Sequence, residues 1–202
     1  MKIMLMFSIL FSNLIFSQII VPSDYIKIPD TLRSRNDLYK FIIPNQKYEY
    51  WKVMRKDDTL EEKLIYENKE VKNIKYVKTH SSEKGFFREC LPGWCFTYIT
   101  AYQNKKPKYF TSERELKDFI GYVDNLPEAL LLARTYNLLF DYKNPIGGSF
   151  KIDKDFIYLY LAKFENCPVS REAFYVKINR KTGVLEYESK GIYYKTSDCY
   201  LS

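Results

Sequence analysis

Two hydrophobic periods divide the chain after Lys84. Phe86–Cys90 and Cys95–Gln103 alternate. Phe96, Tyr98, Thr100 and Tyr102 fall on one side of the second segment, and Cys95, Thr97, Ile99 and Ala101 on the other, as expected for paired strands with period two. The pattern predicts a hairpin whose tip is Leu91-Pro92-Gly93-Trp94. Asn104-Lys105-Lys106-Pro107 reads as a turn into a short strand at Lys108–Thr111. The period then lengthens. Ser112-Glu113-Arg114-Glu115 is a capping box, and Leu116, Phe119, Ile120 and Val123 follow at helical spacing. Asn125–Phe140 predicts a second helix, with Asn125 as the cap and Pro127 tolerated in the first turn. This helix is apolar round most of its circumference and so belongs inside. Asp155–Glu165 contains the unbroken run Phe156–Ala162, which predicts a strand covered on both faces. Ala173–Asn179 alternates, with Phe174, Val176 and Ile178 together. Asn179–Gly183 predicts a turn, and Val184–Lys195 returns, curling at Gly191. These elements specify an α+β fold: an antiparallel sheet with two helices packed on one face.

The earlier part is less patterned. Pro22, Pro29 and Pro44 interrupt it. Asp30–Ile43 predicts a short helix capped by Asp30, and Tyr48–Met54 a strand. Thr59–Glu62 fits a capping box for a further helix, in competition with a strand at Lys63–Tyr66. Ile74–His80 alternates and reads as a strand. Residues 18–84 therefore form a small subdomain or extend the main sheet, and residues 85–202 form the main disulfide-bonded domain.

The first residues read differently. One cation, Lys2, precedes an apolar run broken by Ser8, Ser12 and Asn13 and ending at Phe16-Ser17-Gln18. A secretory signal has this layout, with cleavage expected after Ser17. The run is short for a membrane span, which takes about 20 apolar residues, and no later run is long enough. The expected location is the periplasm or the exterior.

Export gives the cysteines their meaning. An even number, Cys90, Cys95, Cys167 and Cys199, favours two disulfides in an oxidising compartment. Pro92-Gly93 suits the centre of a tight turn, because proline presets φ and glycine accepts φ > 0. That turn brings Cys90 to Cys95 and leaves Cys167 for Cys199. A thiol oxidoreductase would have two residues between its cysteines at a helix start. Zinc sites are marked by two close cysteine pairs, and here there is one. No cofactor is expected.

The formal net charge of +7 invites anionic partners. The cations are interspersed with acids, as in Lys52–Asp58, so nucleic acid is not expected. The expected partner is a protein or an envelope component.

The order Leu126-Pro127-Glu128-Ala129 opening a helix, followed by Tyr175-Val176-Lys177-Ile178 and the turn Thr182-Gly183-Val184, resembles PepSY domains. The resemblance runs over roughly residues 110–195. It implies a cystatin-like helix-on-sheet fold and roles in protease inhibition, chaperoning or envelope sensing, with no catalytic residues to carry over. The chain departs from the pattern in carrying two cysteines and the apolar run Phe156–Ala162. As a whole it is also similar to exported bacterial proteins of its size, which implies no activity.

Candidate chemistry is sparse. His80 is the one histidine, and its neighbours Ser81 and Ser82 are poorly placed for it along a strand. Asp153/Asp155 and Glu186/Glu188 have same-face spacing, the minimum for a carboxylate-dependent hydrolase. Gly147-Gly148 reads as a connecting loop. Aromatic residues are abundant, with 19 Tyr, 14 Phe and 2 Trp, and exposed rings on rigid elements make binding contacts. Trp94 and Leu91 at the stapled tip are the first contact candidates. Tyr193 and Tyr194, with Tyr187 and Tyr200, are the second. The expected function is an exported, non-enzymatic binding or inhibitor-like module. An envelope hydrolase built on carboxylates is the alternative.

Overall fold

The computed structural model describes residues 19–59, 61–68, 80–88, 90, 93–104 and 106–200. The expected signal, the strand through residues 74–79 and the contact candidate Leu91 lie outside the described residues. The elements in chain order are β1 (Ile26–Lys27), α1 (Arg35–Leu38), β2 (Tyr50–Asp57), β3 (Glu62–Glu67), β4 (Cys95–Gln103), β5 (Lys106–Phe110), α2 (Glu113–Ile120), α3 (Leu126–Arg134), β6 (Ser149–Ile152), β7 (Phe156–Asn166), β8 (Val169–Asn179) and β9 (Leu185–Lys195).

The class is mixed α+β with antiparallel pairing, but the strands form two sheets where one was expected. Their orders are β3–β2–β4–β5 and β1–β6–β7–β8–β9. One buried cluster joins both sheets to the helices. Trp51, Val53, Ile99 and Ala101 enter it from the first sheet, Leu116, Phe119 and Leu131 from the helices, and Leu159, Val176 and Ile178 from the second. The reason lies in β4. Its residues Cys95 to Tyr102 are all buried, so both its edges and both its faces need partners. β2 takes one edge, with Trp51 opposite Ala101 and Val53 opposite Ile99. β5 takes the other from Ile99 onward.

The expected hairpin shrinks accordingly. Beyond the end of β5, Phe86 meets Thr97 in a single two-way bridge, each amide donating at 2.8 Å. The Thr59 pattern resolves as the strand β3, not a helix. Thr59 makes a tight turn with Asp57, its hydroxyl donating to Asp57 Oδ1 at 2.6 Å, and β3 then pairs back along β2. Asp30 does not cap a helix. Residues 30–41 break into a 3-10 turn, the single turn α1 and a second 3-10 turn. A segment this short gains little from helical propagation. Burial of Leu32, Leu38, Tyr39 and Ile42 in the core sets its path instead.

Both helix caps form as expected. Ser112 Oγ accepts the Glu115 amide at 3.2 Å, and Asn125 Oδ1 accepts the Glu128 amide at 3.0 Å. α3 ends at Arg134, well before the expected Phe140. Asn137 takes φ 58°, a left-handed conformation that asparagine tolerates. Leu139 and Ala162 then exchange backbone bonds of 2.9 and 2.7 Å, which a longer helix would forfeit. β7 is covered on both faces in its middle, where Ile157, Leu159 and Leu161 face one way and Tyr160 and Ala162 the other.

Candidate ligand pocket

Both cysteine pairs are bridged, Cys90 to Cys95 with Cα atoms 5.6 Å apart and Cys167 to Cys199 at 4.2 Å. Gly93 holds φ 95° at the first staple, a value side chains resist. Trp94 beside it is 46% exposed. Its ring stacks on Phe96 at 5.8 Å and 12°, so it is the outer end of an aromatic row. Phe96 and Tyr98 continue that row into a small buried cluster with Met54.

The second staple ties the turn between β7 and β8 to the C-terminal segment, and the same pair of strands supplies Phe164 and Arg171 to a cavity of about 280 Å³. α3 contributes Leu130 and Arg134 to its lining, the turn before α1 contributes Leu32 and Arg33, α1 itself Leu38, and the loop after α3 residues 138–143. Phe164 of β7 and Arg171 of β8 complete the wall. Leu32, Leu38, Leu130 and Leu138 are buried and make an apolar floor.

The wall is organised by Asp141, which is 2% exposed. Its Oδ1 accepts the Lys143 amide at 2.9 Å. Its Oδ2 accepts Arg171 Nη1 at 2.8 Å and the Tyr193 hydroxyl at 2.9 Å. Burial pushes the Tyr193 phenol above its ordinary range, and the bond to Asp141 adds to the effect, so this hydroxyl stays a donor. Gly147 makes room for the network: a Cβ there would stand 2.5 Å from the Tyr193 oxygen and 3.0 Å from Ala162 Cβ. Arg171 is also flanked by rings, 4.9 Å from Tyr194 and 5.6 Å from Phe164. Arg33 stacks 3.9 Å over Tyr142, with Lys143 5.6 Å from the same ring.

The tyrosines named from sequence thus separate. Tyr193 turns inward to Asp141, and Tyr194 lies outward on Arg171. Tyr187 packs with Tyr136 and Phe174, while Tyr200 is exposed. Asp141 and Arg171 were not singled out from sequence. Each lies in a polar-looking stretch, Asp141-Tyr142-Lys143-Asn144 and Ser170-Arg171-Glu172, that gives no signal of burial.

A second buried carboxylate, Glu128, belongs to the start of α3. It has no exposure at all. Oε1 accepts the Ile43 amide at 2.7 Å, and Oε2 accepts the amides of Asp124 and Asn125 at 2.6 and 3.3 Å. Burial pushes its carboxyl up to about 7, while the Ile43 and Asp124 amides pull the other way.

The remaining candidates do not converge. His80 is exposed, and its amide donates to the Tyr109 hydroxyl at 3.1 Å. Ser81 accepts from Lys56, and Ser82 donates to the Lys84 carbonyl. Asp153 accepts the amides of Phe156 and Asp155, which hold its carboxyl below the usual range. It serves a turn. Glu188 pairs with Lys190, and Glu186 lies opposite Lys177 on the next strand. Among the described residues no group of three His, Cys, Asp or Glu could hold a metal ion, and no helix is long and apolar enough to cross a membrane.

No family model, curated protein or solved structure matches this chain.

Proposed function

We propose that this is an exported, non-enzymatic binding module of the periplasm or the exterior, with the cavity at the end of α3 as its ligand site. One observation carries the proposal. The cavity presents four cations and a single carboxylate around an apolar floor, and both oxygens of that carboxylate are already engaged by the Lys143 backbone amide, the Arg171 guanidinium and the Tyr193 hydroxyl. Such a site is built to hold a molecule by charge and apolar contact. Two disulfides support the oxidising compartment. The inhibitor-like form of the proposal draws on the C-terminal resemblance to PepSY domains. Carboxylate-dependent hydrolysis takes two acids facing across a cleft, and the lining of this cavity supplies one.

Native mass spectrometry of protein recovered from a bacterial periplasm tests the assignment. The expected result is a small molecule retained by the folded chain and released unchanged on denaturation, and lost from Leu130→Trp, which fills the cavity. Equal retention by folded Leu130→Trp would place the site elsewhere. Turnover of the retained molecule would make the protein an enzyme.

A further inference from the structure

Resting on that assignment, we propose that the ligand is a small amphiphile with one anionic head, carboxylate or phosphate, and a medium-length alkyl tail. The size of the cavity is the first argument. About 280 Å³ lies at the lower edge of sites for small organic ligands, which begin near roughly 300 Å³. It takes a short chain, not a folded partner. The lining is the second. Four leucines, Leu32, Leu38, Leu130 and Leu138, present buried side chains and offer no hydrogen bond, so the part of the ligand that meets them is apolar.

The placement of charge is the third argument. Asp141 neutralises Arg171 and fixes it through Nη1, so this guanidinium is held in place before a ligand arrives. Arg33 and Lys143 have no such partner: among the described residues neither pairs with a carboxylate, and both lie against the ring of Tyr142. Two cations round one ring repel each other. An anion beside them relieves that repulsion, and the contact of Arg33 with the ring face engages none of its N–H donors in a carboxylate pair. The head therefore sits at the rim between Arg33 and Lys143, and the tail lies on the leucine floor. Carboxylate and phosphate both match a guanidinium fork, and they are separated by experiment.

The test is calorimetric titration of the full oxidised chain, at low salt and below micelle formation, with dodecanoate, dodecyl phosphate, octanoate, dodecanol and acetate. One equivalent of dodecanoate or dodecyl phosphate is expected to bind, and the tighter of the two identifies the head. Each methylene buried is worth about fourfold in affinity, so octanoate should bind more than tenfold more weakly. Arg33→Gln and Lys143→Gln should each weaken the anionic amphiphiles about fivefold or more while leaving dodecanol and the melting temperature unchanged. Dodecanol binding as tightly as dodecanoate, or acetate doing so, would overturn the proposal. Failure of every amphiphile would overturn it too. The binding-module assignment would still stand if native mass spectrometry showed another retained molecule, and would fall if it showed none.

Discussion

Two carboxylates are withdrawn from water at opposite ends of α3, and their surroundings differ in kind. Glu128, at the helix start, is closed by three backbone amides and no cation. Asp141, in the loop beyond the helix, is closed by an amide, a guanidinium and a phenol. The first arrangement ties chain paths together: the Glu128 carboxylate holds residue 43 against residues 124 and 125, and the Asn125 side chain donates to the Phe41 carbonyl at 2.9 Å. It uses up every oxygen inside the protein and presents nothing to a ligand. The second draws side chains from two strands and sets a fixed cation in a cavity wall. A buried acid is thus a structural pin or a part of a site according to whether backbone or side chains satisfy it. Lacking a countercharge, Glu128 also has the raised pKa, since burial penalises its charged form.

The comparison extends to the staples, where the largest effect is expected. Cys167–Cys199 spans 32 residues and Cys90–Cys95 spans 5. Loop-closure entropy assigns about 4 kcal/mol to the longer link and about 2 kcal/mol to the shorter. The longer one fastens the C-terminal segment to the turn between β7 and β8, where the Val169 amide donates to the Asp198 carbonyl and the Tyr200 amide to the Asn166 carbonyl, both at 2.8 Å. Urea midpoints of the Cys167→Ser/Cys199→Ser and Cys90→Ser/Cys95→Ser variants measure the difference, and a greater loss from the second pair would invert the ranking.

Next in size is Glu128→Ala, which takes the buried acceptor from three backbone amides and opens a small void. A loss of about 3 kcal/mol is expected, because each hydrogen bond to a charged or buried group contributes about 1–3 kcal/mol. Asp141→Asn should cost about 2 kcal/mol, because asparagine keeps an acceptor for one or two of the donors but leaves Arg171 without a countercharge. Adding Arg171→Met to Asp141→Asn should recover part of that loss. No variant offers the equivalent rescue for Glu128, whose partners are backbone. Recovery below about 0.5 kcal/mol in a double-mutant cycle would show that the ion pair is not the term that matters.

The most diagnostic effect is in pH. The Glu128 carboxyl titrates near 4.5 in its ordinary state and at about 7 in the fold. Between those values the folded chain keeps a proton that the unfolded chain has released. Stability should therefore fall as pH rises through this window and level off above about 7, with a steepest slope of about 1.2 kcal/mol per pH unit. Denaturation midpoints across the window, compared with Glu128→Gln, isolate the slope. A slope unchanged in Glu128→Gln would assign it to another group.

Much of the local structure was legible in the chain. Ser112 and Asn125 cap their helices, because capping depends on residues three apart. Phe174, Val176 and Ile178 share the buried face of β8, because side chains alternate along any strand. The Cys90–Cys95 pairing, five residues apart, follows from the same short-range logic, and it leaves Cys167 to Cys199. The failures have a common cause as well. Thr59–Glu62 has the residues of a capping box, yet the segment pairs with β2. Leu139 has helical spacing with the residues before it, yet it leaves α3 to bond Ala162. In both places a partner distant in sequence offers backbone bonds and burial that outweigh a weak local preference.

By itself, then, the sequence determined the class of fold, the starts of the two main helices, the faces of the strands and the Cys90–Cys95 pairing, since each rests on interactions over a few residues. Tertiary structure alone decided that the strands form two sheets, that β2 lies between β3 and β4, and that Arg171 and Tyr193 converge on Asp141. Those outcomes depend on which distant segments come together. A charged residue in a polar stretch reads the same on paper whether it faces water or a buried partner.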